Sequence, residues 1–187
     1  RVAVIGGGNT AIDAVRTAIR LDAKQATIVY RRSEEEMPAR AEEIKHAREE
    51  GTEFFNLHNP VEYLGDESGH VTAMRLERME LGAPDESGRR RPVATGEIIT
   101  VPVDEVIICI GYSASTLVTK SMPELEVNKW GNIVVDEGKK TSMPDVYAGG
   151  DIVRGAATVI LAMGDGRRAA TSMHQKLSGR IEEGALV

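Results

Sequence analysis

Three observations predict an α/β fold for this 187-residue chain. Residues 1–11, Arg1-Val-Ala-Val-Ile-Gly-Gly-Gly-Asn-Thr-Ala11, hold a short apolar run, a glycine turn and the start of an amphipathic helix. Residues 61–103 alternate apolar and polar side chains between turn signals, as an antiparallel meander does. Residues 146–177 then offer a second strand, glycine turn and helix. Together these predict a Rossmann-like three-layer domain that carries an antiparallel β-meander, followed by a second strand–turn–helix unit.

The first unit is the most informative. Val2, Val4 and Ile5 form the apolar run of an inner parallel strand. Gly6 and Gly8 supply a tight turn and close backbone approach, and Ala11 stands at the third small position. Ile12, Val15 and Ile19, with Ala11 and Ala18 beside them, place an apolar stripe on one helix face. The first N–H groups of that helix lack intrahelical partners and its dipole favours an anion, so the pyrophosphate of a dinucleotide is expected there. Asn9 or Thr10 is the expected cap. The competing reading is a plain glycine turn in an α/β domain.

Which dinucleotide is decided at the end of the second strand, Ala26-Thr-Ile-Val-Tyr30. An NAD-specific unit places a carboxylate there to accept from the ribose hydroxyls, whereas this chain has Arg31 and Arg32. Guanidinium groups bind a 2′-phosphate through paired, charge-assisted hydrogen bonds, which favours NADP(H). A solvated arginine pair is the alternative. Arg40 either joins the pair or bonds to Glu34, Glu35 or Glu36.

From Met37-Pro38 to Glu50 the pattern predicts a helix, with Met37, Ala41, Ile44 and Ala47 on one face and Gly51 as its stop. Residues 53–57 read as a third strand that Asn59-Pro60 ends. In the meander, residues 65–69 form a turn, Met74 and Leu76 share a face, and Met79 and Leu81 resume out of phase, so a bulge is expected near Glu77-Arg78. The stretch from Gly82 to Thr95, with Arg89, Arg90 and Arg91, is expected to be an exposed hairpin loop; a partner-docking patch is the alternative. Residues 104–110 return to a continuous apolar run, a buried parallel strand ending at Gly111, in which Cys109 packs as a small hydrophobe.

A hydrophobic content of 41% and a charged content of 28% suit a soluble globular chain. The net charge of −6 argues against general nucleic-acid or anionic-membrane binding. One cysteine excludes an internal disulfide framework and a cysteine-ligated iron–sulfur cluster within the chain, and a reducing cytoplasm is the expected location. His46, His58, His70 and His174 lack metal-ligand spacing, so no metal ligand and no catalytic side chain is nominated. Homo-oligomerisation is left open. An arginine at the start of a core strand, without an initiator methionine, leads to the expectation of a piece of a longer protein.

The last third carries Val146-Tyr-Ala-Gly-Gly-Asp151, then Arg154-Gly-Ala-Ala-Thr-Val159 and a helix with an apolar face to about Leu177. Asp151 can accept hydrogen bonds from sugar-like hydroxyls, and a helix dipole starting near Thr158 and Val159 would stabilise negative charge. With GGGNTAIDAVRTAIRL, VYRRSEEEMPAR, VIICIGY, NKWGNIVVD and TSMPDVYAGGDIVRGAATVILAMGDGRRAA, the chain from Val2 to about Leu177 resembles the flavin-linked pyridine nucleotide oxidoreductases. Within them it looks most like the NADPH-dependent glutamate synthase small (beta) subunit family. The NADH-dependent ferredoxin:NADP oxidoreductase large subunit and the reductase part of dihydropyrimidine dehydrogenase are similar too.

That resemblance implies an NADP domain over residues 1–111 and, over 112–187, the C-terminal half of an FAD domain. It implies NADP(H) and FAD as cofactors, with Gly111, Gly150, Asp151, Thr158 and Val159 joining Gly6, Gly8, Asn9, Thr10, Ala11, Arg31 and Arg32 as binding residues. In the family, hydride passes from NADPH to FAD, then electrons pass onward through iron–sulfur clusters to a partner such as the glutamate synthase large subunit. The family's first FAD fingerprint is not in these residues, so the piece alone is expected to be inactive and to bind FAD poorly. The absence of a Cys-x-x-Cys pair excludes thiol exchange of the short thioredoxin reductase type. An adrenodoxin or ferredoxin-NADP reductase-like enzyme and a non-catalytic NADP-binding sensor module are the alternatives.

Overall fold

The computed structural model describes residues 1–86 and 88–179, and divides the chain into two compact units, Arg1–Ile110 and Gly111–Val187. The first unit is built on four parallel strands, β1 (Val2–Ile5), β2 (Ala26–Tyr30), β3 (Glu53–Asn56) and β7 (Glu105–Ile108), in the order β3-β2-β1-β7. Because side chains alternate across a strand, the apolar runs of β1 and β2 feed both faces. Val4 and Ile28 face the helices α1 (Asn9–Arg20) and α2 (Ala41–Glu49), packing with Ile12, Val15, Ile44 and Ala47. Ala3, Ile5 and Val29 face the other way, onto Met74, Leu76 and Val103. Met74 and Leu76 belong to, and Val103 directly follows, an antiparallel layer of β4 (His58–Gly65), β5 (Val71–Pro84) and β6 (Arg90–Pro102), so the unit has the three predicted layers.

The expected bulge is present. Glu77 pairs with Ile98 but Met79 pairs with Ala94, so the register shifts around Arg78. Four element readings need correction. Residues Met37–Arg40 are not helical: Glu34–Glu36 form a short 3-10 turn closed by a Ser33–Glu36 capping box, and α2 starts at Ala41. Met37 is nevertheless buried in the core, which accounts for its apolar signal. Asn59-Pro60 does not end a strand but lies inside β4, where an edge position and an adjacent register shift tolerate proline. The expected 82–95 loop is mostly strand, because β5 and β6 keep pairing out to Pro84 and Arg90; its residue Ser87 lies outside the described residues. β7 pairs in parallel with β1 as expected, yet it is an edge strand and Ile108 and Ile110 are exposed rather than buried.

An ionic cluster fastens the two helices of this unit. Arg16 bonds to Glu43 at 2.5 Å and to Glu50 at 2.8 Å, and Arg20 reaches the same Glu50 oxygen at 2.6 Å. Hydrogen bonds from Arg20 and then Arg16 hold the Glu50 carboxyl down at about 2, against 4.5 ordinarily. A depressed carboxylate pKa stabilises the fold above the unfolded value and loses that contribution as pH falls through the folded one. Acid titration is therefore expected to destabilise the wild type between about pH 4.5 and 2, and Glu50→Gln to flatten that part of the curve. Thermal melts across this range check the outcome; an unchanged profile in the variant would contradict it.

In the second unit α3 (Thr116–Ser121), α4 (Asp151–Arg154) and α5 (Val159–Leu177) are joined by turns and two isolated bridges, Val127 with Ile133 and Lys140 with Tyr147. The strand expected before Asp151 is reduced to the Tyr147 bridge. The helix expected to end near Leu177 does so, but its apolar face is not buried. Val159, Ile160, Met163 and Leu177 are exposed, and Asp165 is the buried residue of the helix. Residues 180–187 of the expected second domain lie outside the described residues.

Candidate functional site

Strand β1 delivers the chain into Gly6, Gly7 and Gly8 at the carboxyl edge of the parallel sheet, where ligands bind in open α/β folds. The three glycines have different reasons to be glycine. Gly6 has φ 143°, and an added Cβ would stand 2.2 Å from the Cys109 carbonyl oxygen. At Gly7 an added Cβ would stand 2.7 Å from the Tyr30 ring. Gly8 is unconstrained by packing: its φ is −90°, and an added Cβ would meet only Pro38 Cγ at 4.0 Å. Ala11 is fully buried, as a third small position requires.

Gly8, not Asn9 or Thr10, occupies the N-cap of α1, and no side chain caps that end. This corrects the expected capping role. Asn9 lies in the first turn, where its Oδ1 accepts a hydrogen bond from the Arg40 backbone N–H at 3.0 Å. Thr10 is exposed beside it. The Ala39 N–H donates to the Gly7 carbonyl at 3.1 Å, so residues 39–40 are pinned against the glycine turn. The result is an exposed helix N-terminus whose backbone dipole is not answered by any acidic residue in the first turn.

The arginines stand at the neighbouring strand end. Arg31 is exposed directly after β2. Arg32 is half-buried, its guanidinium carbon 5.7 Å from the Tyr30 ring centroid and its Nε buried without a hydrogen-bond partner among the described residues. An unanswered buried donor on a guanidinium costs free energy unless a further acceptor reaches it. Tyr30 organises this corner: its ring backs Gly7, and its hydroxyl donates to the Glu36 carbonyl at 2.8 Å. Sequence reasoning gave Tyr30 no role, although its place as the last residue of β2 was visible. Glu34 is taken by Arg48 and Glu36 by the Ser33 cap. Arg40 is exposed, its backbone held beside the glycine turn by Asn9.

In the second unit Gly111 has φ 87° and nothing within 4 Å of an added Cβ, so conformation rather than crowding demands glycine. The next residue, Tyr112, donates from its hydroxyl to Asp151 Oδ2 at 2.6 Å. That bond, with the nearby charge, raises the Tyr112 pKa above the ordinary value. Gly150 has φ 75° and N-caps the short helix α4 that Asp151 begins. Thr158 caps α5, its hydroxyl accepting from the Leu161 N–H at 3.4 Å, and Val159 is exposed at the first position of that helix. The expected start of a helix at Thr158 is thus observed.

Three side chains that sequence reasoning overlooked hold this loop. Asn132 Nδ2 donates to the Asp151 and Ile152 carbonyls at 3.3 and 3.4 Å. Asp165 accepts from Gly150 N–H, Arg154 and Lys139. Tyr112 is the third. Asn132 and Asp165 lay in recognised motifs, but nothing in their spacing ties them to residues 150–152.

No group of three or more His, Cys, Asp or Glu able to hold a metal ion occurs among the described residues. Cys109 is half-buried and packs against the helix-side core, with burial pushing its thiol pKa up. Among the described residues no helix is long and apolar enough to cross a membrane.

Comparison with known proteins gives the family and the fold. The sequence model of the pyridine nucleotide-disulphide oxidoreductase family matches residues 1–166. The glutamate synthase [NADPH] small chain of Escherichia coli (strain K12) is 43% identical over 176 residues, covering 91% of this chain and 37% of its own. The NADP(+)-dependent formate dehydrogenase subunit beta of Moorella thermoacetica is 46% identical over 178 residues, covering 94% of this chain and 25% of its own. The chain therefore spans only about a quarter to two fifths of the length of these relatives. The T. acidophilum thioredoxin reductase structure superposes with a TM-score of 0.78 at 27% identity, over 95% of this chain and 53% of that one. This chain holds one cysteine, Cys109, and so no Cys-x-x-Cys pair. By its strands, its glycine turn and these matches, the chain belongs to the pyridine nucleotide-disulphide oxidoreductase family.

Proposed function

We propose that the chain is the NADPH-binding portion of a flavin-dependent oxidoreductase related to the glutamate synthase small subunit. The observation that carries this reading is the pairing of an uncapped α1 N-terminus with Arg31 and Arg32 at the end of β2, where the buried Arg32 Nε has no protein acceptor among the described residues. Gly6 and Gly8 shape the turn, and the first N–H groups of α1, at Asn9 and Thr10, face the pyrophosphate, while the Ala11 N–H closes the first turn on the Gly8 carbonyl at 3.0 Å. Arg31 and Arg32 hold the 2′-phosphate, with Arg40 close enough to the turn to add charge. No carboxylate stands immediately after β2 to select the unphosphorylated ribose.

The second unit fits part of a flavin. Asp151, its carboxylate aligned by Tyr112, accepts from the ribityl hydroxyls, and the exposed end of α5 at Thr158 and Val159 presents its positive dipole to the ring. Gly111 and Gly150 provide the turns that bring these groups into place. When bound, FAD supplies the hydride acceptor and the route by which electrons leave one at a time, toward an electron-accepting partner subunit such as the glutamate synthase large subunit. The side chains of this chain bind and orient; none is assigned as an acid, base or nucleophile. A sensor without catalysis has no use for the Asp151 arrangement, which disfavours that alternative.

A test combines both cofactors. Titrated with NADP+, the chain is expected to shift the 31P resonances of both the pyrophosphate and the 2′-phosphate. Passed over a gel-filtration column after incubation with FAD, it is expected to elute without flavin absorbance, because the FAD fingerprint that cradles the pyrophosphate in the resembling family is not among these residues. A pyrophosphate shift with no 2′-phosphate shift would remove the arginine role, and retained flavin would show that this chain holds FAD unaided.

A further inference from the structure

The carboxylate of Asp165 is completely buried within α5, between Gly164 and Gly166, and three groups from two segments converge on it. The Gly150 N–H reaches Oδ2 at 3.1 Å. Arg154, at the end of α4, forms a fork, Nε to Oδ2 at 2.6 Å and Nη2 to Oδ1 at 2.7 Å. Lys139, itself buried, places Nζ 2.9 Å from Oδ1. The approach to the loop is close, since an added Cβ on Gly149 would stand 2.7 Å from Asp165 Cβ. Lys139 is also tied through its backbone, its carbonyl accepting from the Ala148 N–H at 3.0 Å.

We infer that Asp165 is the positioning residue of the 149–154 loop: with Lys139 and Arg154 it sets the backbone that carries Asp151, and so the direction in which the Asp151 carboxylate is offered. The inference rests on the flavin reading of Asp151 for its functional meaning. It begins one step behind that reading, because Asp165 touches the backbone before Asp151 and the side chain after it but not Asp151 itself. Gly150, with φ 75° and ψ −150°, sits in a backbone region that a glycine does not prefer strongly over its others, so an external contact must choose it. The Gly150 N–H bond to an ionised acceptor makes that choice. Arg154 fixes the far end of the same helical turn, and Asn132 holds its first two carbonyls, those of Asp151 and Ile152.

A purely structural ion cluster and a positioning cluster differ in what can replace them. A buried ionic triad can be exchanged for packed apolar residues with little loss of stability, whereas breaking it by removing one member leaves an uncompensated charge. The triple variant Lys139→Met, Arg154→Leu, Asp165→Leu is therefore expected to melt close to the wild type. It should nonetheless lose the hold on Gly150, so that backbone amides 150–154 exchange with deuterium faster by about tenfold or more, the change that follows from losing one charge-assisted hydrogen bond. Its Tyr112 phenol, no longer aligned with Asp151, should titrate nearer the ordinary tyrosine value; subtracting the spectrum of Tyr112→Phe identifies that tyrosine.

Unchanged exchange and an unchanged Tyr112 titration in a folded triple variant would overturn the inference. Loss of folding in the triple variant would instead make the cluster a determinant of the fold and would overturn it too, unless Arg154→Gln, which leaves the Lys139–Asp165 pair neutral, still folds and loosens residues 150–154. In the complete flavoprotein the triple variant should weaken FAD binding by about tenfold or more and shift the flavin midpoint potential. Loosened amides together with unaltered FAD affinity and potential would leave the loop-setting role in place and remove the flavin reading of Asp151.

Discussion

Gly6→Ala is expected to abolish stable folding of the first unit. The methyl group would stand 2.2 Å from the Cys109 carbonyl oxygen and 2.9 Å from its carbon, and both belong to backbone that cannot swing away. That backbone is also engaged, because the Cys109 N–H donates to the Ile5 carbonyl at 2.7 Å beside the β1–β7 pairing. The residue's φ of 143° adds strain for any side chain. Together these effects should cost about 3 kcal/mol or more, within the range of the most damaging single substitutions. Urea titration followed by circular dichroism reads the effect. A midpoint equal to that of the wild type would show that β7 does not close over the glycine turn in the way described.

Gly8→Val should do the opposite, leaving the fold intact and removing nucleotide binding. With φ −90° and only Pro38 Cγ at 4.0 Å, the position accepts a Cβ without clash. The melting temperature should therefore stay near that of the wild type. Under the proposed function the same side chain covers the α1 N-terminus and keeps a pyrophosphate from the backbone N–H groups, so NADPH and NADH should both bind at least about a hundredfold more weakly, roughly 2.7 kcal/mol. Calorimetric titration of the folded variant decides it. Retained affinity would place the ligand elsewhere. Gly6 is needed by the protein and, under the proposed function, Gly8 by the ligand.

Much of this was legible in the sequence, for reasons that can be traced. The apolar runs of β1 and β2 and the 3.6-residue stripe of Ala11, Ile12, Val15, Ala18 and Ile19 report local geometry directly, and the structure buries them as predicted except Val2 and Ile19, which are half-buried against the same core. The phase slip between Leu76 and Met79 likewise marked the bulge around Arg78. What failed depended on partners distant in the chain. Asn9 has the composition of a cap, but its amide is taken by the backbone of Arg40. Met37 carries a helix-like apolar signal because it is buried in the core, not because residues 37–40 are helical. Gly82 suggests a loop, yet strand pairing with β6 continues past it to Pro84.

The candidate site shows the same division. Gly6, Gly8 and Ala11 and the strand-end arginines could be placed by spacing alone, since strand, turn and helix are contiguous. Asp165, Asn132 and Tyr112 could not, because they reach the Asp151 loop from segments 14, 19 and 39 residues away. The exposed apolar side chains of α5 are a further case: their spacing announced a buried face, and the described residues do not supply its cover.

The most direct test of the account compares NADPH and NADH binding to the wild-type chain and to the double variant Arg31→Ala, Arg32→Ala. Each charge-assisted hydrogen bond to the 2′-phosphate is worth about 1.5 to 3 kcal/mol, so the double variant should lose tenfold or more in NADPH affinity while its NADH affinity changes little. An equal loss for both nucleotides, or no loss for either, would contradict the assignment of these arginines and with it the NADPH-binding role proposed for the chain.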